Sequence, residues 1–150
     1  MATWAEFERE APEIATKGRD LIYRNGDGEA LLVTVRGEEP PRAHPVNAGV
    51  VDGHLLTFVQ AKSAKRRDLD EDGRYAVHTH VDPQVPHEFL VRGRARLIDD
   101  NATRQRIAKD WFFEVSDSYP LYELLVEQAL LGERRTADEW PPLYSSWKAP

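Results

Sequence analysis

The residues of this chain best suited to chemistry are a cluster of cations next to a serine. Four cations fall within six residues, and the serine lies among them: Lys62, Ser63, Lys65, Arg66 and Arg67. A phosphate monoester carries close to two negative charges. It binds well where the free N–H groups of a helix N-terminus are supplemented by lysine and arginine. The sequence therefore predicts a phosphate site here, with Arg42 added from a neighbouring strand.

The charge of this segment contrasts with that of the whole chain. The 150 residues carry a net charge of -6, whereas the segment 36–67 has six bases against three acids and is therefore +3. An acidic protein is a poor candidate for a general nucleic-acid binder, which would usually be basic across the domain. A solvated basic patch remains the simplest alternative interpretation of the cluster.

Composition removes several other kinds of site. With no cysteine, the chain has no disulfide framework, thiolate metal site or cysteine nucleophile. His78 and His80 share a strand face, but no acidic ligand set accompanies them, so we predict no metal site. The charged N-terminus lacks the apolar core of a signal peptide, and no run approaches the roughly 18 apolar residues of a membrane span. We expect a cytoplasmic chain that does not interact with membranes.

The elements that must position the cations can be predicted from periodicity and turn residues. A capping box at Thr3 and Glu6 starts a helix predicted over 4–17, with Pro12 as a possible kink. Strands are predicted at 30–35 and over "RAHPVNAGVV" (42–51), which a type I′ turn at Asp52-Gly53 joins to "HLLTFVQ". Ser63 then caps a short helix over 63–73.

The second half of the sequence predicts two more strands and another helix. "RYAVHTHV" (74–81) and 87–99 are predicted strands, and in the latter apolar residues alternate with a largely cationic face. A helix is predicted over 101–115, with Asn101 as its N-cap. Composition favours a helix over 120–133, although a strand is also compatible, and the end of the chain is predicted to be irregular. One domain is expected, and short antiparallel strands favour a small closed barrel over an open α+β sheet.

A long stretch in the middle of the sequence resembles a known family. The stretch "RAHPVNAGVVDGHLLTFVQAKSAKRRDLDEDGRYAVHTHVDP", followed by "EFLVRGRARLID", is similar to the FMN-binding split-barrel family of which pyridoxamine 5′-phosphate oxidase is the namesake. The similarity covers roughly residues 4–115. It implies a mainly β fold, a small split β-barrel of about six antiparallel strands with peripheral helices, and favours a strand over 120–131. It also implies a homodimer with the cofactor at the subunit interface.

The resemblance assigns site residues as well. Its R-x-x-x-V strand, which contacts the flavin, corresponds to Arg42–Asn47, and its phosphate-binding S-x-K to Ser63-Ala64-Lys65. The flavin ring would then lie beside a slot in which a proline interrupts ladder pairing and small residues leave room. The predicted lining residues are His44, Pro45, Val46, Asn47, Phe58 and Val59. His44 is the candidate catalytic proton donor, while a core role for Phe58 is an equal alternative.

Departures from the namesake limit the function that can be carried over. Ala64 and Val59 replace a cation and a threonine, and Glu88 lies near the position of a glutamine that contacts the flavin. No basic C-terminal substrate-phosphate site is found, so pyridoxamine phosphate oxidation is not expected. We predict an FMN-dependent oxidoreductase acting on a small-molecule substrate. One alternative is a deazaflavin-dependent reductase. The other is a non-catalytic flavin- or heme-binding protein, and this one would be favoured if Trp140 and Trp147 covered the ring.

Overall fold

The fold is a mainly β structure with helices at its periphery, as the sequence predicts. A computed structural model describes residues 1–150. Its four helices and seven strands are, in chain order, α1 (Trp4–Glu10), α2 (Pro12–Ile22), β1 (Glu29–Thr34), β2 (Arg42–Val51), β3 (His54–Phe58), α3 (Ala64–Glu71), β4 (Arg74–Thr79), β5 (Glu88–Ile98), α4 (Asn101–Lys109), β6 (Leu121–Glu133) and β7 (Leu143–Lys148). None of the helices combines the length and the apolar character that a membrane crossing requires.

Six of the strands close into an antiparallel barrel. The strand order is β3-β2-β1-β4-β5-β6-β7, and β3 also pairs with β6, which closes the barrel and leaves β7 outside it. The turn between β2 and β3 has positive φ at both central residues, 51° at Asp52 and 78° at Gly53, as a type I′ turn requires. Closure removes most free sheet edges, but residues 42–47 of β2 pair with β1 alone and keep one edge open.

Two apolar clusters hold the barrel and its helices together. The larger cluster fills the barrel and extends to α1 and α2, where Trp4 and Phe7 are fully buried. The smaller one lies between the outer face of β3 and β6 and the segment around α4, and contains Leu56, Phe58, Ile107, Trp111 and Leu121. This second cluster fixes α4 against the barrel.

The helix predictions need three corrections. The predicted helix 4–17 is two helices, because the chain breaks at Ala11 and Pro12 occupies the first position of α2, where its missing N–H is not needed. Asp100, not Asn101, caps α4 by accepting a hydrogen bond from the Thr103 amide. The helix ends at Lys109 instead of 115.

The C-terminal third also departs from part of the sequence prediction. Residues 121–133 form a strand, so the helix favoured by composition was wrong and the strand favoured by the resemblance is confirmed. The end of the chain is not irregular, since β7 pairs with β6 over Leu143–Lys148. Trp147 packs against Phe7 with ring centroids 4.9 Å apart, whereas Trp140 is 72% exposed.

Candidate cofactor site

The N-terminus of α3 presents the groups that the phosphate prediction requires. Ser63 caps the helix: its Oγ accepts a hydrogen bond from the Arg66 amide at 3.2 Å and donates to the carbonyl of Gln60 at 2.8 Å. The amides of Ala64 and Lys65 come before the first intrahelical donor, so they have no partner within the helix. Two backbone donors and the positive end of the helix dipole are therefore available at this point.

A cavity of about 590 Å³ lies beside this helix start and is lined by eight residues: Ala61, Lys62, Ser63, Ala64, Arg66, Arg67, Asp70 and Glu71. The Arg66 guanidinium donates to the Ala61 carbonyl at 3.1 Å and lies 3.4 Å from the carboxylate of Asp70. Lys62 and Arg67 are exposed and form no ion pair. The helix-start side of the cavity therefore carries uncompensated positive charge.

Lys65 does not line this cavity and lies instead towards β2. It is half-buried and has no ion-pair partner, and burial lowers the pKa of its amine. It is near enough to His44 to affect it: burial is the main cause of the lowered pKa of His44, and the positive charge of Lys65 lowers that pKa further. The His44 Nε2 atom is itself buried without a hydrogen-bond partner. Lys65 and His44 therefore form a pair of polar groups that the chain leaves unsatisfied.

Arg42 is engaged within the protein. Its guanidinium donates to both carboxylate oxygens of Asp68, at 3.0 and 2.9 Å, and to Glu39 at 2.5 Å. Asp68 is fully buried and also accepts a 2.7 Å hydrogen bond from the Thr34 hydroxyl. Arg42 therefore anchors α3 to β1 and β2. Sequence reasoning missed Asp68, since an acid in a charged helix gives no signal of burial.

The first half of β2 has an open edge facing β3. The β2–β3 ladder begins only at Ala48, so residues 42–47 pair with β1 alone. The Asn47 carbonyl accepts a 2.9 Å hydrogen bond from the Thr57 hydroxyl of β3, so the backbone groups of Asn47 point towards that side. Those of Pro45 and Ala43 point the same way, because hydrogen-bonding direction alternates along a strand. Pro45 thus stands where its missing N–H interrupts no ladder.

The predicted ring-lining residues divide into two groups. The side chains of Val46, Phe58 and Val59 belong to the apolar core, with 8%, 6% and 1% exposure. Phe58 packs edge-on against Trp111 with centroids 5.1 Å apart. Asn47 donates its side-chain amide to the Asp27 carbonyl at 2.7 Å. These residues can therefore offer a ligand mainly backbone groups, whereas His44 and the exposed Pro45 can offer side chains.

A second polar cluster lies elsewhere and was missed by sequence reasoning. Glu123 of β6 is 1% exposed, and its carboxylate bonds the imidazole of His54 and the guanidinium of Arg96. These three residues come from three different strands, so their spacing in the sequence does not predict that they meet. The only signal was one acid among the apolar residues 121–126 of β6.

Known proteins resemble this chain in structure more clearly than in sequence. No protein-family model and no curated protein matches the sequence. Among solved structures, a putative pyridoxamine 5′-phosphate oxidase from Listeria innocua is similar at 24% identity and a TM-score of 0.57, covering 72% of this chain and 90% of that chain. HutZ, the heme storage protein of Vibrio cholerae, is similar at 14% identity and a TM-score of 0.59, covering 78% and 89%.

A heme binding protein from Mycobacterium smegmatis is similar at 16% identity and a TM-score of 0.64, and the match covers 87% of this chain but only 57% of that longer chain. At these identities the similarity concerns the fold and does not extend to activity. The resemblance drawn from the sequence is confirmed at that level: the chain has the split-barrel fold of the pyridoxamine 5′-phosphate oxidase-like proteins.

Proposed function

We propose that this chain binds FMN and acts as a flavin-dependent oxidoreductase on a small molecule. The phosphate would bind at the N-terminus of α3, and the ring would lie along the open edge of β2. The observation that carries the proposal is the link between α3 and β2. Asp68 of α3 bonds Arg42 of β2, and Lys65 is near enough to His44 of β2 to lower its pKa. The first-turn amides of α3 are free, and residues 42–47 of β2 pair with β1 alone.

The phosphate part of the proposal rests on charge and hydrogen-bond donors. The Ala64 and Lys65 amides and the cations Lys65 and Arg66 provide donors of the kinds that bind phosphate in proteins. Ser63 would act by capping the helix start, because its hydroxyl already donates to the Gln60 carbonyl. A dianion would also stabilise the charged form of Lys65, whose pKa is lowered by burial in the free protein. Arg42 would act indirectly, by holding α3 through Asp68.

The ring part rests on the open edge of β2. Backbone groups of Ala43, Pro45 and Asn47 on this edge could hydrogen-bond the polar rim of a flavin, and His44 would lie near it with an unpartnered Nε2. A bound flavin would supply the transfer of electrons or hydride. The lowered pKa favours the neutral imidazole of His44 at neutral pH, so His44 would accept a proton near the ring in place of the donor role predicted from the sequence.

A homodimer would complete this site. Leu31 is 38% exposed on β1 and is paired in register with the exposed Pro45 of β2. This apolar strip adjoins the open edge, and a second subunit placed there would shield a bound ring from solvent. We expect light scattering to report a dimer, and Leu31→Asp to shift it towards monomer.

The test compares FMN with riboflavin, which lacks the phosphate. The absorption spectrum is recorded as purified, and both ligands and a phosphorylated deazaflavin are then titrated into stripped protein, into Lys65→Ala and into Lys109→Ala. Lys109 is an exposed lysine of α4, remote in sequence from α3, and controls for the loss of one charge. Losing a charged hydrogen bond should weaken FMN binding by about tenfold or more, with little change for riboflavin.

The outcomes separate the alternatives. Equal affinity for FMN and riboflavin, or equal loss in both variants, would overturn the phosphate site. Preferential binding of the deazaflavin would keep the site and change the cofactor. Tight FMN binding without turnover by any common electron donor would indicate a non-catalytic flavoprotein.

Heme is the second candidate, and one observation favours it. Neutral imidazole is the form that binds iron, and His44 combines a lowered pKa with a buried, unpartnered Nε2. Two proteins of the same fold are described as heme-binding or heme-storing. A Soret band on hemin addition that His44→Ala abolishes, in protein indifferent to FMN, would favour heme over flavin.

A further inference from the structure

A second cavity, of about 410 Å³, lies between the barrel and α4. It shares no lining residue with the cavity at α3. Its size falls in the roughly 300–1,000 Å³ range of small-molecule pockets. The cavity combines an apolar surface, formed by Leu97 and Ile98 with the buried Leu56 and Ile107 beneath it, with several charged side chains.

A buried acid orients a histidine at this cavity. The Nδ1 of His54 lies 2.5 Å from the Glu123 carboxylate, which also accepts a hydrogen bond from Arg96. An ionised carboxylate can only accept hydrogen bonds, so a neutral His54 that bonds Glu123 through Nδ1 must carry its proton on Nδ1. The lone pair of Nε2 is then free, and Nε2 has no partner although His54 is half-exposed and lines the cavity.

The remaining charges around the cavity have an excess of acceptors. Both lining arginines are committed, Arg96 to Glu123 and Arg106 to Asp52. Asp100 is occupied as the cap of α4, and the exposed Asp99 forms no ion pair. The cavity lining has four acids against two arginines, so its net charge favours a ligand that brings donors and positive charge.

We propose that this cavity is a second binding site, for a small organic amine in its protonated form with an apolar body. The ammonium group donates to Nε2 of His54 and faces the carboxylate of Asp99. The apolar body lies against Leu97 and Ile98. This site is independent of the cofactor proposal, because no residue is shared between the two cavities.

The test uses three probes of similar shape and different charge: benzylamine, benzyl alcohol and benzoate. Each is titrated into ¹⁵N-labelled protein while the backbone amides and the His54 ring nitrogens are followed by NMR. We expect benzylamine alone to shift the His54 Nε2 signal and the amides of Leu56, Thr103 and Ile107 in a saturable way.

Two variants and one control sharpen the result. His54→Gln can still donate to Glu123 but offers no Nε2, and Asp99→Asn removes the free charge. Each should weaken benzylamine binding by about tenfold, whereas Asp20→Asn, on the exposed face of α2, should leave it unchanged. Benzoate binding as tightly as benzylamine, shifts that map elsewhere, no saturable shift, or variants equal to the control would each overturn the proposal.

Discussion

Replacing Asp68 with alanine should strongly destabilise the fold, even with no cofactor present. Asp68 is the one acid of α3 that is fully buried, and it accepts hydrogen bonds from Thr34 on β1 and Arg42 on β2. Breaking a buried ion pair typically costs about 3–5 kcal/mol. The Arg42 side chain is 31% exposed and can retain Glu39, so we reduce the expected loss to about 3 kcal/mol, which includes the unsatisfied Thr34 hydroxyl.

Urea denaturation followed by tryptophan fluorescence measures this loss. With a slope of about 2 kcal/mol per molar urea, the midpoint should fall by about 1.5 M. Glu71→Ala removes an exposed acid from the same helix and should change the free energy of unfolding by no more than about 0.5 kcal/mol. Adding Thr34→Val to Asp68→Ala should recover about 1 kcal/mol, because no buried hydroxyl then lacks a partner. A loss in Asp68→Ala no larger than in Glu71→Ala would refute the anchoring role.

Three further predictions concern single groups. Lys65→Ala should raise the pKa of His44, since it removes a neighbouring positive charge and opens the site to water, and an NMR titration of the ring would read this shift. Hydrogen bonds hold the pKa of Asp72 below its ordinary value, so its contribution is present above about pH 3.9 and is lost as pH falls further; Asp72→Asn should flatten the acid side of the stability profile. Gly93→Ala would place a Cβ 1.9 Å from the Leu125 carbonyl, so we expect a loss of about 3 kcal/mol or more in a thermal or urea melt.

Local sequence signals predicted turns and helix caps well, because one or two residue types decide whether these features form. The turn at Asp52-Gly53 and the cap at Ser63 depend on backbone demands that few residues meet. The strand 121–133 was different, because its composition favours a helix and its pairing with β5 and β3 decides in favour of a strand. Pairing with partners distant in sequence is a tertiary effect that a local window does not contain.

The candidate site was predicted in part for the same reason. The cations, the cap and the proline all lie in one continuous stretch, so the sequence could bring them together. Which cation points where could not be predicted: Arg42 turned out to contact Asp68, and Lys65 lies towards His44 and not in the cavity. Those directions depend on how α3 packs against the barrel, and Asp68 ties α3 to β1 and β2.

Lys65 links the stability of the free protein to its proposed ligand. Burial of its amine without an acidic partner disfavours the charged form, so Lys65→Met should stabilise the free protein at pH 7 by roughly 0.5 kcal/mol, after a discount for the exposed part of the side chain. The pKa of Lys65 is lowered in the folded protein, so the penalty is present below that folded pKa and is gone above the unfolded value of about 10.4. The stability advantage of Lys65→Met should disappear over the same pH range.

Lys62→Met, at an exposed position, is the matched control and should show no such gain. If FMN binds as proposed, saturating FMN should reverse the order and make the wild-type protein the more stable of the two. Equal stability of wild type and Lys65→Met without ligand would mean that the amine is fully hydrated, and would remove the main reason for assigning it to an anion.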